Sequence, residues 1–242
     1  MIPIFVQSWH RWEFTRQVIK SIRERTAPGS YRLHVLDNGS DRDTVRGLIE
    51  TFEASHIDSL HVEGRNTGCL WPKHVFHAMV PQDCEYYVVT DNDFIPCFGW
   101  LEGLTGIMRN SPQLACLTLD YLPRWPLQPM QDRGIYFRTK AVGNTFKLCR
   151  RRAVDAALRD IPQSIGKYSD DGMLSQALDS MGYEVGYAKG LWCFNLENLK
   201  DNWGYTAEQV KADPRKAGYG AQVRYLPTNW ETLEPSEGCG LW

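Results

Sequence analysis

The first third of the chain alternates between short apolar runs and longer segments in which apolar residues recur at helical spacing. Residues 2–7 form an apolar run that ends in Gln7-Ser8-Trp9, and this pattern predicts a buried strand. An amphipathic helix is predicted next, because apolar side chains recur along one face: Phe14, Val18, Ile19 and Ile22. Pro28-Gly29-Ser30 then predicts a turn that ends this helix.

The same alternation continues along the chain. Further strands are predicted at about 31–36, 59–63, 85–90 and 114–120. Helices are predicted between them, on the apolar positions Val45, Leu48, Ile49 and Phe52, over residues 72–79, and on Trp100, Leu101, Leu104, Ile107 and Met108. Ser40 is expected to cap the second helix, with Asp43 in a capping-box-like arrangement. Strands that alternate with helices predict βαβ units and a mostly parallel sheet.

The second half of the chain is less regular. Four elements are predicted there: a long loop or hairpin over 121–136, a strand over 142–149, a helix near 150–158 and a late strand over 183–188. Another helix is expected to start near Asp171 and to stop at Gly182. From about residue 197 onward no periodicity remains, and we expect a lid or a packed C-terminal extension. No linker separates two domains, so the sequence predicts a single domain over 1–242.

Polar clusters follow directly after three of the predicted strands. They are Asp37-Asn38, Asn66 and Asp91-Asn92-Asp93. Because parallel α/β sheets bind ligands at the carboxyl ends of their strands, we expect these clusters to meet at one edge. Three clusters at one edge indicate a ligand site more strongly than any one of them.

Composition narrows the class of protein. Hydrophobic residues make up 43% and charged residues 23% of the chain, as in ordinary soluble proteins. The net charge of −2 offers no basic field that would hold a nucleic acid. Arg150-Arg151-Arg152 is the densest basic stretch, and a solvated helix start explains it.

The cysteines and the N-terminus bear on the compartment. The seven cysteines are odd in number and contain no CxxC pair: Cys69, Cys84, Cys97, Cys116, Cys149, Cys193 and Cys239. This pattern argues against a disulfide framework and against a structural zinc site. The sequence shows neither the start of a signal peptide nor an apolar run long enough for a transmembrane segment. A cytoplasmic protein is therefore expected.

Asp91-Asn92-Asp93 is the motif with the clearest chemistry. Two carboxylates separated by one residue in a tight turn can face the same point. Oxygen ligands of this kind suit Mg²⁺ or Mn²⁺, with water and phosphate oxygens completing the coordination. The alternative is a solvated turn, since Asp and Asn are common turn residues. The preceding β-prone strand and the neighbouring polar strand ends favour the metal site.

Five stretches together resemble family 2 glycosyltransferases of the GT-A fold. They are Val35-Leu36-Asp37-Asn38-Gly39-Ser40-Asp41, Asn66-Thr67-Gly68, Val89-Thr90-Asp91-Asn92-Asp93, Val142-Gly143-Asn144-Thr145-Phe146 and Ser169-Asp170-Asp171-Gly172-Met173-Leu174. The resemblance covers roughly 1–196. It implies a Rossmann-like, mostly parallel central sheet flanked by helices, with an irregular C-terminal extension. Residues 1–110 would form the nucleotide-sugar-binding half, 111–196 the acceptor-side half, and 197–242 the extension or lid.

The resemblance also implies roles for individual residues on the donor side. The nucleotide-sugar, most simply a UDP-sugar, would be bound by Ser8, Trp9, Asp37, Asn66, Lys73, Asp91 and Asn92. Asp37 would hydrogen-bond the nucleobase, although an N-cap or Asx-turn in a strand-to-helix loop is the alternative. Asp93, together with Asp91, would bind Mn²⁺ or Mg²⁺.

Asp170-Asp171 is the second carboxylate pair. The resemblance makes Asp171 the general base for an acceptor hydroxyl, with Asp170 beside it, and implies inversion at the anomeric carbon. Two adjacent carboxylates raise each other's proton affinity, which helps a base. The alternative is helix capping, which also favours Asp at this position. Trp125 and Trp203 are candidates for stacking on the acceptor, with core packing as the alternative.

One departure from the family pattern concerns the metal. Many members of this fold carry a histidine after the late strand as a further ligand, whereas all six histidines here lie between His10 and His77. Asn195, Glu197 or water would have to substitute. Three other functions remain open: a retaining transferase, a nucleotidyltransferase, and a binding protein without turnover. The glycine-free first loop argues against the nucleotidyltransferase.

Overall fold

The structure is a computed structural model, which describes residues 1–122, 130–159, 161 and 170–196. Of the predicted site residues, Trp125 and Trp203 lie outside this range, as does the predicted extension from residue 197 onward. The backbone of Asp170 and Asp171 is described, but their side chains are not.

Strands and helices alternate through the described residues, as the periodicity predicts. The strands are β1 (Ile2–Ser8), β2 (Tyr31–Asp37), β3 (Ser59–Val62), β4 (Tyr86–Asp91), β5 (Phe94–Pro96), β6 (Leu114–Leu122), β7 (Gln131–Asp132), β8 (Tyr136–Thr139), β9 (Lys147–Arg150) and β10 (Glu184–Asn195). The helices are α1 (Trp12–Arg25), α2 (Arg42–Glu53), α3 (Leu70–Met79), α4 (Trp100–Arg109), α5 (Arg151–Leu158) and α6 (Asp170–Ser180).

The strands of the described residues form one sheet in the order β3-β2-β1-β4-β9-β6-β10-β8-β7, and β5 pairs with β10. β3, β2, β1 and β4 are mutually parallel, as are β6 and β10. β9 runs antiparallel between these two parallel groups. The predicted α/β class with a central parallel sheet is confirmed, and the parallel block carries the predicted polar clusters at its carboxyl edge.

Each face of the sheet has its own hydrophobic core. Ile4 and Val6 of β1 point into a core that includes α1, α2 and α4, whereas Phe5 between them points into a core that includes α3, α5 and α6. This alternation follows from the period of two along a strand. Burying one such apolar side chain contributes about 1.5–3 kcal/mol. No helix of the described residues is long and apolar enough to cross a membrane.

Several local predictions differ from the structure. Asp41 caps α2, not Ser40, because the Asp41 side chain accepts from the Thr44 N–H. The strand expected over 142–149 begins only at Lys147, after a loop. Two further differences concern strands. β5 was not predicted, and β10 continues to Asn195, whereas the predicted late strand ended at residue 188.

Candidate functional site

The β1–α1 loop crosses the carboxyl edge of the sheet in a strained conformation. His10 and Arg11 both have positive φ angles, 53° and 57°. A left-handed conformation costs an L-residue about 1–2 kcal/mol, so it persists only where the surroundings hold it. The N–H of His10 donates to Oγ of Ser40 at 2.7 Å, and its carbonyl accepts from Nδ2 of Asn92 at 3.1 Å. The loop is thus fixed from both sides.

Arg11 extends from this loop over the end of β4. The Nη2 nitrogen of its guanidinium lies 3.3 Å from Oδ1 of Asn92 and 3.4 Å from Oδ2 of Asp93. Its guanidinium carbon also lies 5.4 Å from the centre of the Phe14 ring. A positive charge therefore stands next to the predicted metal carboxylate.

The three residues at the end of β4 have different surroundings. Asp91 is half-buried, and its Oδ1 accepts from Nδ2 of Asn144 at 3.2 Å. Asn92 is buried and donates to Oγ1 of Thr15 at 2.9 Å as well as to the His10 carbonyl. The Asn92 amide thus joins β4 to α1 through bonds inside the protein. The two carboxylates are the groups that remain suited to a metal.

Asp93 is 9% exposed, and its backbone anchors the end of β10. The Leu196 N–H donates to the Asp93 carbonyl at 2.7 Å. Asn195 pairs with Phe94, the neighbour of Asp93, which brings one of the three predicted substitutes for the missing histidine next to the turn. Burial raises the pKa of the nearby Cys193 thiol well above its usual value, and the carboxylates of Asp120 and Asp93 add to the rise.

Asp37 lies at the same edge as Asp91. Asp37 pairs with Ser8 at the end of β1, and Asp91 pairs with Gln7, the preceding residue of β1. Asp37 is fully buried. Its Oδ2 accepts from the Ser40 N–H at 2.9 Å, and its Oδ1 accepts from the Ser40 hydroxyl. A side chain that accepts from the N–H three residues on makes the bond typical of an N-cap, and here both carboxylate oxygens have partners within the protein.

Asn38 and Gly39 hold the loop after β2 against the loop after β3. Oδ1 of Asn38 accepts from the Thr67 N–H at 3.0 Å, and its Nδ2 donates to the Gly68 carbonyl at 2.9 Å. Gly39 has a φ of 78°, and a Cβ there would lie 2.2 Å from the carbonyl carbon of Arg65. Only glycine allows this approach.

The remaining donor-side candidates divide between surface and interior. Trp9 is 46% exposed, and Asn66 is also exposed at the edge. Ser8 is fully buried, and its Oγ lies 3.2 Å from Oγ1 of Thr15. Lys73 on α3 is buried at 5% exposure. Trp9 and Asn66 are therefore the candidates most open to a ligand.

The helix that begins at Asp170 and Asp171 is attached to the same region. Oγ of Ser175 in α6 lies 3.4 Å from the Val142 N–H, two residues before Asn144. Through Asn144 this loop reaches Asp91. The predicted base thus lies on a helix that contacts the loop holding Asp91.

The contacts of Arg11 with Asp93 and of Asn144 with Asp91 were not predicted from the sequence. Both contacts join residues far apart in the chain, and no local pattern announces them. One structural sign is backbone strain: Phe146, two residues after Asn144, has a φ of 56° and is fully buried against Trp100. A bulky residue in this conformation is an outlier that often marks a functional loop.

The donor groups suit a hard divalent cation, because Asp91 and Asp93 both supply carboxylate oxygens from one turn. Among the side chains that the structure describes, no three His, Cys, Asp or Glu residues group closely enough to hold a metal. Two carboxylates alone would leave the rest of a coordination sphere to phosphate and water.

Solved structures of glycosyltransferases resemble this fold. GalNAc-T7, solved with UDP, GalNAc and Mn²⁺, has a TM-score of 0.66 at 8% identity, covering 81% of this chain and 43% of that one. The mannosyltransferase PcManGT from Pyrobaculum calidifontis, solved with GDP-Man and Mn²⁺, has a TM-score of 0.61 at 15% identity, covering 92% and 62%. TarS from S. aureus has a TM-score of 0.60 at 12% identity, covering 79% and 59%.

Neither a family model nor a curated protein sequence matches the chain. The chain spans 43 to 62% of the length of the three solved structures. At these identities the similarity is one of fold. The chain has the GT-A fold of these glycosyltransferases, with polar strand ends gathered at one edge of the sheet.

Proposed function

We propose that this protein is a glycosyltransferase that moves a sugar from a nucleotide-diphospho-sugar to a hydroxyl acceptor. The observation that carries the proposal is the GT-A fold with Asp37, Asp91 and Asp93 at one carboxyl edge. GalNAc-T7 and PcManGT were solved with a nucleotide or nucleotide-sugar and Mn²⁺, which supports this class of donor. Among the donors, a UDP-sugar is our first choice.

On this proposal Asp93 and Asp91 hold Mn²⁺ or Mg²⁺. The ion would act as a Lewis acid that neutralises the departing diphosphate. Trp9 and Asn66 are exposed at the edge and would contact the nucleotide. Ser8, Asp37 and Asn92 have partners inside the protein, so we assign them to holding the loops that form the pocket.

The acceptor side would be formed by residues 111–196, with 197–242 as an extension or lid and 1–110 as the donor half. Asp171 would take the proton from the acceptor hydroxyl as its oxygen bonds to the anomeric carbon and the sugar–phosphate bond breaks. Because the diphosphate leaves from the opposite face, the anomeric centre is inverted. The neighbouring carboxylate of Asp170 would raise the proton affinity of Asp171. Attachment of α6 to the loop of Asn144 supports this assignment, because Asn144 holds Asp91.

Two substitutions test the proposal separately. Calorimetry with UDP and Mn²⁺ should detect binding to the wild type and none to Asp93→Ala. Asp171→Asn should remove transfer while leaving UDP affinity nearly unchanged, because a base acts on the acceptor and not on the donor. Equal metal-dependent affinity in Asp93→Ala would end the metal assignment. Transfer by Asp171→Asn would move the base to another residue.

A binding protein without turnover is the second candidate. The observation that favours it is the incomplete metal cluster among the described side chains, together with the lack of a late histidine. Slow hydrolysis of a UDP-sugar by the wild type would reject this candidate. NMR of the product anomer would then separate inversion from retention.

We also propose a cytoplasmic location. Cys116 and Cys149 face each other on neighbouring strands as thiols, with their Sγ atoms 3.7 Å apart. The odd number of cysteines and the lack of a CxxC pair fit reduced thiols in a reducing compartment. Mass spectrometry of the protein from its native source, with thiols blocked at lysis, would test this point.

A further inference from the structure

We propose that Arg11 competes with the divalent cation for Asp93, and that metal binding turns the Arg11 guanidinium toward the anionic diphosphate. The contact of Arg11 with the diphosphate rests on the proposed function. The competition for Asp93 concerns the protein and the metal alone.

The position of Arg11 carries the first step. Its Nη2 nitrogen lies 3.4 Å from Oδ2 of Asp93, the carboxylate predicted to bind the metal. A guanidinium and a divalent cation cannot both approach one carboxylate without mutual repulsion. In the protein without metal, Arg11 therefore supplies the positive charge that Asp93 would otherwise receive from the ion.

The contact is one that can be exchanged. Charge-assisted hydrogen bonds between nitrogen and carboxylate oxygen are usually about 2.7–2.9 Å long. The contacts of the Arg11 Nη2 nitrogen with Asn92 and Asp93 are longer, at 3.3 and 3.4 Å. The Arg11 side chain is 34% exposed, whereas that of Asp93 is 13% exposed. The contact between Arg11 and Asp93 is thus longer than a usual charge-assisted bond and partly open to solvent.

The backbone around Arg11 is held in place, so Arg11 leaves Asp93 by a change in its side-chain conformation alone. His10 is bonded on both sides, through its N–H to Ser40 and through its carbonyl to Asn92. Two consecutive left-handed residues at this point show that the loop is held in place despite its strain. A guanidinium released from Asp93 would therefore remain at the edge of the sheet. Its planar fork of donors suits phosphate oxygens, which the donor would bring there.

The competing explanation is that Arg11 and Asp93 form a purely structural ion pair. The two explanations predict opposite changes in metal affinity when Arg11 is replaced. If Arg11 only holds the loop to β4, removing it loosens Asp93 and weakens metal binding. If Arg11 competes with the metal, removing it strengthens metal binding.

The experiment measures Mn²⁺ affinity by electron paramagnetic resonance, with no nucleotide present. Arg11→Gln and Arg11→Met should each bind Mn²⁺ more tightly, by about tenfold. Arg11→Lys keeps the charge and should stay near the wild type. Arg16→Met is the matched control: Arg16 lies on the first turns of α1, is 62% exposed and pairs with Glu13, away from Asp93. Circular dichroism confirms folding of each variant, and the glutamine variant, being polar, serves if the methionine variant fails to fold.

Two further measurements separate this inference from the proposed function. Adding Asp93→Asn to Arg11→Gln should abolish the gain in Mn²⁺ affinity, which shows that the gain acts through Asp93. With Mn²⁺ saturating, UDP should bind more weakly to Arg11→Gln than to Arg16→Met. Unchanged or weaker Mn²⁺ binding in folded Arg11 variants overturns the competition, as does a wild type that binds no Mn²⁺. Tighter Mn²⁺ binding without any UDP binding would keep the competition and reject the role toward the diphosphate along with the proposed donor.

Discussion

Asn144 is bonded to Asp91 twice, through its side-chain Nδ2 to Oδ1 at 3.2 Å and through its carbonyl to the Asp91 N–H at 3.0 Å. An ionised carboxylate can only accept, so this contact fixes which end of the Asn144 amide faces Asp91. Oδ1 of Asn144 then points away from Asp91, and this buried atom has no hydrogen-bond partner among the described residues. An oxygen placed in this way suits a ligand hydroxyl that donates to it.

Replacing Asn144 should impair donor use more than stability. Asn144→Asp would set a carboxylate against Asp91, and Asn144→Leu would remove the hydrogen bond with little change in volume. Hydrogen bonds to charged groups contribute about 1.5–3 kcal/mol, so we expect kcat/KM for the donor to fall about tenfold or more. The measurement is UDP-sugar turnover, with the exposed Asn110→Ala as control. Wild-type kinetics in both Asn144 variants would show that Asp91 needs no such support.

Asn92→Asp should destabilise the protein. The variant would have three acidic residues in a row, but the amide it loses donates to the His10 carbonyl and to Thr15 inside the protein. Leaving a buried acceptor without its donor costs about 1–3 kcal/mol. Urea unfolding should show this loss with an unchanged dependence on denaturant. If stability were unchanged and Mn²⁺ bound more tightly, Asn92 would face the ligand and not the protein.

Gly39→Ala should be far more costly than Gly29→Ala. Both glycines have a φ of 78°, but a Cβ at Gly29 meets nothing within 4 Å, whereas at Gly39 it meets the backbone of Arg65 and Asn66 at 2.2 and 2.4 Å. The backbone conformation alone costs about 1–2 kcal/mol in each variant. Overpacking should add about 1–3 kcal/mol at Gly39. Equal losses in urea unfolding would mean that the two loops separate easily.

Asp41 should make the stability of the protein depend on acid pH. Its pKa is lowered from 3.8 to about 2, first by the Thr44 N–H and then by His10. The charged form is favoured in the folded state, so its stabilising effect is present above about pH 4 and is lost as the pH falls toward 2.

Asp41→Asn isolates this effect, because asparagine also caps helices but does not titrate. The melting temperature of the wild type should exceed that of Asp41→Asn at pH 6, and most of the difference should be lost by about pH 2. Asp43→Asn, on the same turn but 78% exposed, is the control. A difference that stays constant with pH would exclude the titration of Asp41 as its cause.

The parallel block of the sheet could be predicted because its signals are local. β1, β2 and β4 are short, largely apolar runs, and β2 and β4 each end in a polar cluster. The N-cap of α2 was misplaced by one residue because Ser40 and Asp41 are both good caps. Ser40 instead bonds Asp37 and His10, a choice set by the neighbouring loop.

The contacts that define the candidate site could not be predicted in the same way. Arg11 meets Asp93 across 82 positions, and Asn144 meets Asp91 across 53. Such pairings depend on sheet order, which periodicity alone does not determine. For Asn92 the prediction of a nucleotide contact stays untested, and the structure adds that its amide has partners within the protein.

The hydrogen bond from the Leu196 N–H to the Asp93 carbonyl has a practical consequence for anyone who shortens the chain. A version cut after Leu196 would end in a new carboxylate. This carboxylate would lie on Leu196 itself, the residue whose N–H is bonded to Asp93. This terminal charge could itself ligate a divalent ion or repel a pyrophosphate. Fragments for crystallisation should therefore keep residues beyond this point, or carry an amidated end, before their cation affinity is compared with that of the intact polypeptide.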